Sequence, residues 1–118
     1  MNLKFDNSNG ILIVNINELK FTNMFASEFR DKLEELINEG NYRILINLEK
    51  INYMDSSALG SIVSVFNHLN EISTLNNEKS RLAICSLNKN VEFLFNMLRI
   101  NGIIDIYADR DSALEMMK

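Results

Sequence analysis

Three places in this sequence carry side chains that could do chemistry: Asp55-Ser56-Ser57, His68 and Cys85. The first is the most informative. An apolar run, Ile44-Leu45-Ile46, ends in a polar turn, and Asp55-Ser56-Ser57 then precedes a helical pattern with Leu59, Ile62, Val63, Phe66 and Leu69 on one face. Aspartate and serine just before such a pattern are N-cap types, so the helix is expected to start there. Both serines then lie where backbone N–H groups lack partners and the positive end of the helix dipole is exposed. A phosphate carried by either serine would meet ready-made donors. Plain capping explains the same three residues, and the two roles are compatible.

Other chemistries fit less well. Asp55 could serve as a receiver-type phosphoacceptor aspartate, but that chemistry needs a divalent metal held by a further acidic pair, which Asp6 and Glu18 do not make. His68 follows Ser56 by twelve residues on one helix, a rise of about 18 Å, so the two cannot form a nucleophilic dyad. Cys85 ends an apolar strand and reads as a small buried residue. No further Cys or His stands at metal-ligand spacing. Gly10, Gly40, Gly60 and Gly102 are scattered and make no phosphate loop, so no cofactor is expected. Met97, Met116 and Met117 read as core or terminus rather than as a binding groove.

The elements that must hold Asp55-Ser56-Ser57 follow from periodicity. Leu3 to Phe5 and Ile11 to Ile16 read as strands around an Asn7-Ser8-Asn9-Gly10 turn. Glu18 to Thr22 reads as a connection, with Thr22 or Asn23 capping a helix marked by Phe25, Phe29, Leu33, Leu36 and Ile37 and ended by Gly40. Tyr42 to Leu48 is nearly all apolar, as a central parallel strand would be. After the Ser56 helix, in which Gly60 is expected to permit close approach to a neighbour, Ser73 to Ser80 reads as a loop and Arg81 to Cys85 as a strand. Val91, Leu94, Phe95 and Leu98 mark a third helix capped near Asn88. Ile103 to Tyr107 forms a last strand, and Asp109 or Asp111 caps a final helix bearing Ala113, Leu114 and Met117. The order β-β-α-β-α-β-α-β-α predicts an α/β fold with a mixed sheet of about five strands covered by helices.

Length and composition narrow the classes further. A chain of 118 residues suits one domain, residues 1–118, with one main core. Its 47% hydrophobic and 24% charged residues are those of a globular protein rather than a disordered one. A net charge of −4 without a Lys/Arg cluster argues against direct nucleic-acid binding. No apolar run is long enough to insert in a membrane, and the start Met-Asn-Leu-Lys-Phe-Asp does not read as a signal peptide. A single cysteine forbids an internal disulfide, and a cytoplasmic location is expected.

Met54-Asp55-Ser56-Ser57-Ala58-Leu59-Gly60 resembles the signature of the STAS domain family in its anti-sigma factor antagonist branch, usually Asp-Ser-Ser/Thr-Gly-Leu-Gly after a buried strand. Asn90-Val91-Glu92-Phe93-Leu94-Phe95 and Gly102-Ile103-Ile104 resemble the family's closing helix and strand, and the element order matches over essentially the whole length. Ala58 stands where the family has glycine, and Lys20 stands near a usual aspartate. The resemblance implies a STAS-like fold and a non-enzymatic, phosphorylation-switched binding module acting in transcription regulation. It implies phosphorylation of Ser56 and a partner face comprising Asp55, Ser56, Ser57, Ala58 and Gly60. The implied partners are a serine-kinase anti-sigma factor and a serine phosphatase. The alternative within the family is a constitutive subunit of a stress-signalling scaffold or of a membrane transporter.

Overall fold

The computed structural model describes all residues from Met1 to Lys118. Strand β1 (Leu3–Ser8) pairs antiparallel with β2 (Ile11–Ile16) through a two-residue turn. Asn9 and Gly10 both have positive φ, +51° and +81°. That geometry matches the right-handed twist of the flanking strands, and Asn-Gly adopts it at low steric cost. The first strand thus runs three residues beyond the expected Phe5.

Helix α1 (Asn23–Asn38) buries Phe29, Leu33 and Ile37. It ends as the sequence predicts: Gly40, at φ +104°, donates its N–H to the Ile37 carbonyl at 2.9 Å. Strand β4 (Arg43–Asn47) is buried on both faces, between β2 and β6 (Arg81–Cys85), and is parallel to each. Helix α2 (Ser56–Leu75) is longer than expected and absorbs the first residues of the predicted loop. The buried Ser73 is tolerated there because its hydroxyl donates to the Asn70 carbonyl one turn back.

Helix α3 (Lys89–Met97) starts at Asn88, whose side chain accepts from the Val91 N–H at 2.9 Å. The left-handed Arg99 (φ +57°) stops it, and a 3-10 turn (Ile100–Gly102) leads on to β7 (Asp105–Tyr107). That last strand begins two residues later than predicted. Ile104 is instead buried in the main core, and Ile103 is exposed. Of the two candidate caps for α4 (Arg110–Met117), Asp109 serves: its carboxylate accepts from the Ser112 N–H at 2.7 Å.

The five-stranded sheet has the order β1-β2-β4-β6-β7. Its β2, β4, β6 and β7 neighbours are parallel, with β1 antiparallel at one edge. One face carries the larger core, to which α1, α2 and α3 contribute Phe29, Leu33, Ile62, Val65, Val91 and Phe95. The other face carries a smaller core beneath α4, made with Ala113 and Met117. A second, two-stranded parallel sheet was not anticipated. It pairs β3 (Lys20–Phe21) with β5 (Tyr53–Met54), inside segments read from sequence as connections. Two residues are too few to show alternation, so such a pair leaves no periodic signal.

Candidate functional site

The small β3–β5 sheet sets up the site, because it joins the two segments that lead into α1 and α2. Lys20 lies opposite Tyr53 and Phe21 opposite Met54. Phe21 and Met54 are buried and point into the core, while Lys20 and Tyr53 are exposed. The Phe21 ring meets Phe29 of α1 edge-on at 5.0 Å between centroids, which anchors the pair from below. The two helices therefore begin side by side on one surface.

Asp55 is the N-cap of α2, and its Oδ1 accepts from the Ala58 N–H at 2.9 Å. The other carboxylate oxygen accepts from the N–H of Asn23, the first residue of α1, at 3.0 Å. Thr22 occupies the cap position of α1, but its side chain makes no capping bond. The acceptor at that helix start is Asp55, 32 residues away in sequence. Thr22 is thus the cap residue that the sequence predicts, but the side-chain acceptor comes from across the tertiary structure, which leaves no local signature. With both oxygens engaged in capping, Asp55 is committed to holding the fold rather than to accepting a phosphoryl group.

Ser56 and Ser57 are the first two helical residues, and both are exposed. Their N–H groups belong to the turn that has no intrahelical acceptors. Ala58 is fully buried, so its methyl lies in the core and not on the surface that the two serines share. Its part in the site is the N–H it gives to Asp55. Gly60 is exposed, and a Cβ built there meets no atom within 4 Å. The expected close approach of α2 to a neighbouring element at Gly60 is thus absent, and the glycine leaves a bare strip of helix facing solvent. Lys20 stands on the same surface, at the edge of the β3–β5 pair.

Next to Ser56 the surface opens into an apolar groove of about 630 Å³. Tyr53, Met54, Asp55 and Ser56 form one wall, and Asn90, Phe93, Leu94 and Met97 of α3 form the other. Phe93, Met97 and Tyr53 are 69%, 59% and 52% exposed, high values for large apolar side chains. Met97 was read from sequence with Met116 and Met117 as core or terminus. Met117 is indeed in the smaller core and Met116 is exposed near the end, but Met97 lines this groove. A signal existed: with Val91 and Phe95 one turn apart as the buried face, Phe93 between them points away from it.

The remaining candidates stand elsewhere. The His68 ring Nε2 and Asn38 Oδ1 are 2.9 Å apart, linking α2 to the end of α1 far from Ser56. Cys85 is fully buried, and that burial pushes its thiol above the ordinary cysteine range.

The STAS domain family model matches residues 2–113, so this chain belongs to the STAS domain family. An anti-sigma F factor antagonist of Paenibacillus polymyxa is 25% identical over 115 residues, covering 97% of this chain and 92% of that one. Among solved structures, an anti-sigma-factor antagonist (STAS) domain protein of Planctomyces limnophilus superposes with a TM-score of 0.83 at 14% identity, over 98% of this chain and 97% of that one. The Bacillus cell fate determinant SpoIIAA in its phosphorylated form superposes with a TM-score of 0.72 at 14% identity, over 99% and 100%. The fold is therefore the STAS fold, as its sheet order and helix placement already indicated.

Proposed function

We propose that this protein is an anti-sigma factor antagonist whose binding is switched by phosphorylation of Ser56. In the unmodified state it occupies a serine-kinase anti-sigma factor and so frees a sigma factor. The kinase phosphorylates Ser56 with its own ATP, and a serine phosphatase resets the switch. The observation that carries this is the placement of Ser56: exposed, at the first position of α2, on the rim of the apolar groove. A hydroxyl there can enter a kinase site. Its neighbours Tyr53, Phe93 and Met97 supply apolar area that a partner can cover. The Paenibacillus relative, named as an anti-sigma F factor antagonist, supports the same role.

Phosphorylation adds about −1.5 to −2 charges and three acceptor oxygens. In a desolvated interface, a loss of about 3 kcal/mol weakens binding more than a hundredfold. Incubation with the cognate kinase and ATP should add one phosphate, on Ser56, and should dissociate the complex. Ser56→Ala should stay bound and insensitive to ATP. Ser56→Asp should weaken binding only in part, since a carboxylate has less charge and fewer acceptors. Intact mass and fragment mapping, with a binding titration, check this. A complex that forms normally while no serine is modified would replace the switch with the constitutive subunit of a scaffold or transporter.

A further inference from the structure

We infer that Asp55 is the positioning residue of this surface: its carboxylate bridges the starts of α1 and α2 and holds the Leu19–Met24 segment and Ser56 as a single partner-facing unit. The bridge is made of its two bonds, 2.9 Å to the Ala58 N–H and 3.0 Å to the Asn23 N–H. A carboxylate suits this place because it has two acceptor oxygens, no proton to misplace, and a negative charge facing two positive helix ends. Nothing else substitutes for it at α1, since the Thr22 side chain makes no capping bond. The neighbouring backbone is tied in the same sense: the Asp55 N–H donates to the Phe21 carbonyl at 3.3 Å, and the Tyr53 and Asn52 N–H groups both donate to the Leu19 carbonyl. The segment so held carries Leu19 and Met24, which are 66% and 78% exposed. Both are large apolar side chains left open to solvent on the two sides of the β3–β5 pair and the start of α1. The partner-facing half of this inference rests on the proposed binding of an anti-sigma factor, whereas the bridge itself does not.

Asp55→Asn separates bridging from capping. Asparagine caps helices as well as aspartate does, so the Ala58 bond and the α2 start survive. Its second polar atom is an NH₂ donor, which cannot accept from the Asn23 N–H. Asp55→Ser, also a good cap but too short to span both helices, is the companion variant. Amide exchange should quicken at Asn23 by at least about tenfold in both variants, with the Ala58 amide little changed. The dissociation constant for the anti-sigma factor should rise by at least about tenfold, with the far-ultraviolet spectrum unchanged. Exchange unchanged at Asn23 in Asp55→Ser, and unchanged at both Asn23 and Ala58 in Asp55→Asn, would overturn the bridge. Quickened exchange with wild-type affinity would overturn the positioning role. If wild-type protein binds no serine-kinase anti-sigma factor, the functional proposal fails, while the exchange comparison still decides the bridge.

Discussion

At the scale of single residues, the two aspartates at helix starts do unequal work. Asp55 ties two elements together, whereas Asp109 caps only α4, through Ser112. The backbone N–H of Ser112, and then its hydroxyl, hold the Asp109 carboxyl below the usual aspartate range. A lowered native pKa means that the unfolded chain binds the proton more readily. The contribution is therefore complete above the ordinary value of 3.8 and disappears as pH falls through the lower native one. Asp109→Asn keeps a capping oxygen but removes the titration. Denaturant titrations from pH 7 to pH 3 should show wild type losing stability relative to this variant on the acid side. A constant difference across the range would remove Asp109 from the acid response. Among the residues named from sequence, Ser56 and Ser57 stand exposed at the start of α2, while Ala58 faces the core. Helical periodicity decides that difference: Ala58 shares the buried face with Leu59, Ile62, Val65 and Leu69.

At the scale of elements, Gly60 offers a test of folding against binding. No neighbour crowds its missing side chain, and its backbone is not in the left-handed region. Gly60→Ala should therefore stabilise α2 by roughly 0.5–1 kcal/mol, through helix propensity and a more restricted unfolded chain. The added methyl projects from the surface where a partner would lie. The same variant should bind the anti-sigma factor more weakly although it melts at a higher temperature, and thermal melts paired with titrations would show both. Equal or tighter binding would place Gly60 outside the interface. The regular elements were legible in sequence because the helices bury one periodic face and the central strand is apolar on both. Phe29, Leu33 and Ile37 announced α1, and the apolar run Ile44-Leu45-Ile46 announced the central β4. The β3–β5 pair and the Asp55–Asn23 bond were not legible, since both are contacts between residues about 32 positions apart that leave no local period. The groove wall of Phe93 and Met97 was only half legible. An exposed aromatic residue on an amphipathic helix is visible in sequence, but what it faces is not.

At the scale of the whole molecule, the sheet is unequally covered. Helices α1, α2 and α3 pack one face, and the Ser56 surface is built where two of them begin. The opposite face is closed by the short α4 alone, over Ile11, Ile13, Leu45, Ala83 and Cys85. Arg43 donates to the Met117 carbonyl, and Arg81 donates to the Met116 carbonyl at 2.7 Å, so two strands grip the last turn of that helix. The single thiol of the chain thus lies under one short helix, which makes it a clock for one local event. Because burial disfavours its thiolate, Cys85 should resist alkylation until α4 lifts. Labelling followed by mass should proceed with a denaturant dependence clearly shallower than that of global unfolding, because releasing one short helix exposes little surface. Matching slopes would mean that α4 leaves only when everything else does. With the shallow slope, the chain's own thiol times the opening of its rear face while the Ser56 face stays folded.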